Sequence, residues 1–123
     1  MPIEAQAQSR SRQTPARIEQ RGCPRFKLDV DIELHTRGGE TLHGRTVDIS
    51  ESGISAMLKV EVAIDAVVEL EFSLPHFPLA GENLSVLAVV RQRNAFRYGF
   101  QFADPDATRG VIRRACEWLT PCP

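Results

Sequence analysis

Two short motifs contain the residues whose types and spacing could do chemistry. The arginine motif, Arg21-x-x-x-Arg25, supplies two cations, and the strand motif, Asp48-x-Ser50-x-x-Gly53, supplies a carboxylate, a hydroxyl and a glycine. A guanidinium donates two parallel hydrogen bonds to phosphate oxygens or to the O6/N7 edge of guanine, and its plane stacks on bases. If the fold brings the motifs together, they suit a ligand that carries both phosphate and guanine.

Each motif also has an ordinary explanation. Arginines in a polar linker are commonly solvated, and Asp or Ser before a turn commonly bonds the neighbouring backbone. A glycine after them is commonly a turn residue. Neither motif alone predicts a binding site, whereas their joint occurrence favours one.

The composition is that of one globular domain. The chain has 123 residues, of which 42% are hydrophobic and 25% are charged, and it can bury one modest core. The formal net charge of -1 gives no overall attraction for nucleic acid. Positive charge is concentrated in residues 1–25, where arginines outnumber acidic residues. This distribution indicates a local anion site or a solvated tail.

The remaining reactive side chains do not indicate catalysis or a metal site. The cysteines and histidines lack metal-ligand spacing, and no Ser, His and Asp grouping indicates a nucleophile. They are Cys23, Cys116, Cys122, His35, His43 and His76. An odd number of cysteines without metal-ligand spacing is typical of reduced thiols. Because the sequence has neither a membrane-spanning apolar run nor a signal-peptide core, we expect a cytoplasmic protein without membrane insertion, and an enzyme is the least supported class.

Hydrophobic periodicity places the motifs on strands. Residues 1–20 are polar and are predicted to form a flexible amino-terminal arm. Strict alternation over 26–35 predicts a half-buried strand, and a glycine pair then predicts a hairpin. The returning strand, about 41–50, is less regular, which predicts a bulge near Gly44 or Arg45.

Later elements complete one domain over residues 21–120. Alternation predicts further strands at about 54–58, 68–74, 84–90 and 96–102. Apolar residues then follow helical spacing until Pro121, and the aromatic residues are expected in the core, including Phe96, Phe100, Phe102 and Trp118. This order predicts an all-β fold with a terminal helix, namely a six-stranded antiparallel β-barrel plus a C-terminal α-helix.

The phase of the second strand decides where its motif points. If Val47 and Ile49 face the core, the side chains of Asp48 and Ser50 both point outward from the same face. We therefore expect the strand motif to present its polar groups on the surface of the barrel.

The arrangement resembles the PilZ domain family. The arginine motif, with a strand directly after it, looks like the Arg-x-x-x-Arg sequence of that family. The strand motif is similar to its Asp/Asn-x-Ser-x-x-Gly sequence, in the expected order. The segment 98–102 (YGFQF) looks like the closing strand of the family, and the terminal helix follows it. The resemblance covers about residues 21–119.

The resemblance implies a receptor for the bacterial second messenger cyclic di-GMP, with no catalytic residues and no other cofactor. It implies that Arg21 and Arg25 contact the phosphates and the Hoogsteen edge of guanine. Asp48 would accept from guanine N1–H and the exocyclic amine, and Ser50 would bond the same ligand. Gly53 would allow close approach, because a Cβ there could clash with the ligand.

Two further expectations follow from the same resemblance. Arg91 and Arg93 are the candidates for a late-strand side chain that touches guanine. Ligand binding is expected to order the arginine segment over the barrel and to change a surface that an unidentified effector protein recognises. A ligand-independent protein-interaction barrel is the alternative. A barrel that binds DNA or RNA is disfavoured, because the outward strand positions are acidic.

Overall fold

A computed structural model describes residues 23–75 and 83–123, and the predicted arm, Arg21 and His76 lie outside these ranges. The elements of the described ranges are β1 (Phe26–Lys27), β2 (Asp31–Thr36), β3 (Thr41–Ile49), β4 (Gly53–Leu58), β5 (Val67–Ser73), β6 (Asn83–Asn94), β7 (Arg97–Phe102) and α1 (Pro105–Cys116).

Six of these strands form a closed antiparallel barrel. They follow the order β3-β2-β5-β6-β7-β4, and β4 pairs back with β3 to close the sheet. The short strand β1 pairs with the end of β3 and continues the line of β2. The prediction of a six-stranded antiparallel barrel followed by a C-terminal helix is confirmed.

The first predicted strand is interrupted by a polar side chain. The buried hydroxyl of Thr46 donates to the carbonyl oxygen of Leu28 at 2.6 Å and accepts from the backbone N–H of Val30 at 2.9 Å. These bonds satisfy the backbone between β1 and β2, where the regular ladder stops. The alternation continues through the interruption, so Leu28 and Ile32 both lie in the core.

The bulge in β3 lies between Thr46 and Asp48, and its predicted position at Gly44 or Arg45 is wrong. Gly44 pairs regularly with β4, where a Cβ atom would lie 2.5 Å from the carbonyl oxygen of Met57. The glycine therefore permits two strands to approach closely, and it does not mark the extra residue.

The core lies inside the barrel and extends beneath α1. The largest buried side chains belong to Phe72, Tyr98 and Phe102, and the helix contributes Ile112 and Ala115. Because these residues come from β5, β7 and α1, the helix packs against the same core that the barrel encloses.

Two aromatic residues that were expected in the core are exposed. Trp118 is 62% exposed because it lies about one helical turn after the exposed Arg114, whereas the buried residues of α1 are Ile112, Ala115 and Cys116. Phe96 is 59% exposed because it lies in the turn between β6 and β7 rather than on a strand. Phe100 and Phe102 are buried, as predicted.

On the outer surface, His35 joins β2 to both neighbouring strands. Its Nε2 lies 2.7 Å from the carboxylate of Glu71 on β5, and its Nδ1 lies 3.2 Å from the hydroxyl of Thr41 on β3. The hydrogen bond with Glu71 is the main cause that raises the pKa of His35 above its ordinary value of 6.5.

This histidine should make the stability of the protein depend on pH. Since its pKa is raised on folding, its contribution is fully present below about pH 6.5 and is lost as the pH rises through the folded pKa. We expect His35→Gln to lower the free energy of unfolding in urea more at about pH 5.5 than at about pH 8.5. The matched control is His43→Gln, because the side chain of His43 is 73% exposed. An equal loss for His35→Gln at both pH values would contradict this assignment.

Candidate functional site

An open groove on the outside of the barrel gathers the described candidate residues except Ser50, which is buried beside it. It has a volume of about 1120 Å³, and its lining comes mainly from β4, β6 and β7. Four arginines line it: Arg25, Arg91, Arg93 and Arg97. The strand motif contributes Asp48 and Gly53. The structure therefore places the described arginine of the first motif and the carboxylate of the second motif in one cavity.

Arg25 is bound directly to the strand motif. Its Nε donates to Oδ1 of Asp48 at 2.8 Å, and its Nη2 lies 2.6 Å from the same oxygen. Its Nη1 donates to the hydroxyl of Ser50 at 3.4 Å, and its Nη2 donates to the hydroxyl of Ser55 at 3.3 Å. One cation thus joins three polar side chains from β3, β4 and the turn between them.

The backbone around Arg25 is held on two sides. On one side, β1 pairs with the end of β3. On the other side, the N–H of Lys27 donates to Thr120 at 2.8 Å, and the N–H of Cys122 donates to the carbonyl oxygen of Arg25 at 2.9 Å. The segment after α1 therefore fixes the position from which the guanidinium reaches the groove.

Asp48 points away from the core but is nevertheless buried. Its cross-strand partner is Ser55, and directly opposite residues share one face of a sheet, whereas the adjacent Ile49 is fully buried in the core. Only 6% of Asp48 is exposed, because Arg25 covers one carboxylate oxygen and Arg97 covers the other. Asp48 has the predicted outward phase, but neither Asp48 nor the completely buried Ser50 has the expected exposure, and Val47 is not among the core residues as the prediction required.

Arg97 is a site residue that sequence reasoning missed. Its Nη2 donates to Oδ2 of Asp48 at 2.9 Å, so the carboxylate is clamped between two guanidiniums. The alternation along β7 placed Arg97 on the outer face. The alternation does not show that Arg97 reaches Asp48, because β4 lies between β7 and β3.

Ser50 has both a structural bond and a bond to the arginine. Its N–H donates to the carbonyl oxygen of Gly53 at 2.8 Å, and its hydroxyl accepts from the N–H of Ser52 at 3.2 Å. The residue is completely buried. Ser50 therefore stabilises the turn, as the ordinary explanation has it, and it also contacts Arg25.

Gly53 is required by the packing of the barrel itself. A Cβ atom there would lie 2.3 Å from the carbonyl oxygen of Phe100 on β7. The close approach that this glycine permits is therefore to a neighbouring strand. The sequence expectation had assigned the approach to a ligand.

Glu51, within the strand motif, ties the motif to α1. Its carboxylate accepts from Nε of Arg113 at 3.0 Å and lies 3.5 Å from Nε of Arg109. The hydrogen bond from Arg113 lowers the pKa of Glu51. The β3–β4 turn and the helix are thus joined by charged hydrogen bonds.

The two arginines of β6 lie on the opposite side of the groove, and each bonds a carboxylate. Nη1 of Arg91 donates to Asp65 at 3.1 Å, and its Nε donates to the side-chain oxygen of Gln101 at 2.8 Å. Arg93 is bound to Glu61. Arg91 and Arg93 are therefore in the groove, and both are paired within the protein.

Away from the groove, a metal-like grouping lies around His35. Within the described residues, one ligand atom each from Glu33, His35 and Glu71 lies within 4.8 Å of the others. Histidine spacing in the sequence does not reveal this grouping, because its carboxylates come from two strands. All three cysteines are free thiols: Cys23, Cys116 and Cys122.

The described ranges contain no helix that is both long enough and apolar enough to cross a membrane.

Comparison with known proteins gives one family match and several structural neighbours. The PilZ domain matches residues 19–118 of the chain. No curated protein sequence matches it significantly. The PilZ domain of CeSA from a cellulose-synthesizing bacterium is 19% identical with a TM-score of 0.59, and the alignment covers 76% of this chain and 96% of that one.

Two further solved structures share the architecture. The PilZ domain of YcgR from Escherichia coli, solved with cyclic di-GMP, is 14% identical with a TM-score of 0.64, covering 79% of this chain and 88% of that one. The inhibitor of motility MotI/DgrA from Bacillus subtilis is 19% identical with a TM-score of 0.56, covering 75% of this chain and 49% of that one. At these identities the neighbours establish the shared fold.

Proposed function

The chain belongs to the PilZ domain family, and on that premise we propose that it is a receptor for cyclic di-GMP that acts as a binding adaptor. The observation that carries the proposal is the bond between Arg25 and Asp48 in a groove lined by arginines. A structural neighbour of the same family, YcgR, has been solved with this ligand. Cyclic di-GMP offers two phosphates and two guanines to such a groove.

We assign the guanine contact to Asp48. An ionised carboxylate has about four lone-pair sites, and it can accept from the N1–H and the exocyclic amine of guanine. Arg25 already donates twice to Oδ1, and Arg97 donates once to Oδ2. Guanine at Asp48 therefore displaces at least one of these donors. The displaced guanidinium then becomes available to a phosphate of the same ligand.

Arg25 and Arg21 take the phosphate and Hoogsteen-edge contacts in this proposal. Each charge-assisted hydrogen bond contributes roughly 1.5–3 kcal/mol, and part of this is offset by ordering the segment that carries the arginines. The ordered segment changes the surface beside β1, which an effector protein then recognises. Ser50 supports the site from below, because it bonds the turn and the guanidinium together.

Calorimetric titration of cyclic di-GMP into the full chain tests the proposal. We expect saturable binding of cyclic di-GMP and no binding of cyclic di-AMP, because adenine lacks the N1–H and the exocyclic amine position that Asp48 would recognise. The absence of binding heat with cyclic di-GMP would sink the receptor proposal. Equal affinity for both dinucleotides would remove Asp48 from the role assigned to it.

A second candidate, a ligand-independent interaction barrel of the same fold, is favoured by one observation. Every groove arginine described already has a carboxylate partner within the protein: Arg25 and Arg97 bond Asp48, Arg91 bonds Asp65, and Arg93 bonds Glu61. A site neutralised in this way is complete without a ligand. The same titration separates the two candidates, since only the receptor binds cyclic di-GMP.

A further inference from the structure

Two carboxylates on the connection between β4 and β5 form ion pairs with the arginines of β6. We call this connection, residues 59–66, the acidic loop. Glu61 reaches Arg93, and Asp65 reaches Arg91 at 3.1 Å. Both arginines line the groove, whereas neither carboxylate does. The two carboxylates therefore neutralise the β6 arginines without lining the groove themselves.

The backbone of the acidic loop is fixed by specific contacts. The hydroxyl of Tyr98 accepts from the N–H of Val62 at 3.1 Å and donates to the carbonyl oxygen of Val60 at 3.3 Å. The N–H of Asp65 donates to the carbonyl oxygen of Val90 at 2.7 Å. Asp65 also has a positive φ of 73°, a conformation that Asp and Asn tolerate better than most residues. The two carboxylates are thus presented from an anchored backbone.

The carboxylates themselves are only loosely held. The side chains of Glu61 and Asp65 are each 74% exposed, and those of Arg93 and Arg91 are 37% and 52% exposed. Exposed ion pairs of this kind contribute little net free energy, so a better anion can displace the carboxylates at low cost. A phosphodiester offers the same fork of oxygens to a guanidinium.

We propose that Glu61 and Asp65 determine the ligand affinity of the groove, because they occupy Arg93 and Arg91 until a phosphate ester displaces them. The proposal rests on the proposed function only for the identity of the natural ligand. The competition itself applies to any phosphate anion in the groove. Removing the two carboxylates should therefore strengthen anion binding, whereas most changes within a binding site weaken it.

The test compares two double variants with the same change in charge. Glu61→Gln/Asp65→Asn removes the competing carboxylates, and asparagine keeps the tolerance for positive φ at position 65. Glu40→Gln/Glu117→Gln removes two carboxylates that have no ion pair with Arg25, Arg91, Arg93 or Arg97 among the described residues. In about 0.15 M salt, distant charges are largely screened. We expect the first variant to bind cyclic di-GMP roughly two- to fivefold more tightly per carboxylate removed, and the second to bind like wild type.

A second probe separates this inference from the receptor proposal. Inorganic pyrophosphate is titrated into the same proteins while NMR follows the Nε–H resonances of Arg91 and Arg93. Suppose that wild type does not bind cyclic di-GMP, but Glu61→Gln/Asp65→Asn binds pyrophosphate more tightly than Glu40→Gln/Glu117→Gln does. The receptor proposal then fails, and the competition stands. If the two double variants bind either probe equally, the competition is overturned.

Discussion

Replacing Arg25 with alanine should weaken the binding of cyclic di-GMP about 100-fold or more. The guanidinium is the one described cation that contacts β3, the β3–β4 turn and β4 together, through Asp48, Ser50 and Ser55. Loss of two charge-assisted hydrogen bonds removes roughly 3 kcal/mol, which corresponds to a loss of affinity of about 100-fold or more. Isothermal titration calorimetry measures this loss directly.

Two further variants make this result specific to the site. Arg37→Ala removes an exposed arginine from the β2–β3 hairpin, outside the groove, and should bind like wild type. Arg25→Lys keeps the charge but lacks the planar fork, so it should recover only part of the affinity. Wild-type affinity in Arg25→Ala would place the ligand elsewhere on the protein.

A loss of folding must be separated from a loss of ligand contacts. Arg25→Ala leaves Asp48, which is 6% exposed, with Arg97 as its described charged partner, and this should lower stability. Adding Asp48→Asn to Arg25→Ala removes the poorly paired charge. We expect the double variant to regain stability in urea. Because Asp48 is itself assigned the guanine contact, affinity is measured on Arg25→Ala alone, under conditions in which urea denaturation shows that it is folded. Wild-type affinity of that folded variant would exclude a direct ligand contact by Arg25.

Gly53→Ala in the strand motif should change the free energy of unfolding more than Gly110→Ala in α1 does. The added Cβ would lie 2.3 Å from the carbonyl oxygen of Phe100, and this atom belongs to a strand backbone that cannot rotate away. Overpacking of this kind costs roughly 1–3 kcal/mol, which urea denaturation measures as a lower free energy of unfolding.

Gly110→Ala is the matched control, and its effect should have the opposite sign. Gly110 lies within α1, and a Cβ there would meet no atom within 4 Å. Alanine is favoured over glycine inside a helix by roughly 0.5–1 kcal/mol, so this variant should be more stable than wild type. A Gly53→Ala variant as stable as Gly110→Ala would mean that β4 and β7 are farther apart than the structure places them.

The architecture was predictable because period-two alternation survives local irregularities. Leu28 and Ile32 stay in phase across the break between β1 and β2, although the hydroxyl of Thr46 replaces the ladder there. The bulge was misplaced because a glycine at position 44 has the same sequence signal whether it marks an extra residue or a close approach. Trp118 was misplaced because its apolar character was weighed above its position, which follows the exposed Arg114 of the helix by four residues.

The candidate site was predictable in part. The motifs identified Arg25 and Asp48, and the structure brings them together. The role of Arg97 depends on barrel closure, which sets β4 between β3 and β7 and has no local signal. The pairing of Arg91 with Asp65 depends on the irregular connection between β4 and β5, where no periodicity locates side chains.

The helix α1 and the segment after it are bonded to both motifs. Arg113 on the helix bonds Glu51 of the strand motif, and Thr120 just beyond it bonds Lys27, two residues after Arg25. A protein that binds this helix is therefore connected to the arginine segment through these hydrogen bonds, without contacting that segment. If such a protein binds the liganded form more tightly by some factor, it must raise the affinity for the ligand by the same factor. The abundance of the partner would then set the messenger concentration at which the receptor responds.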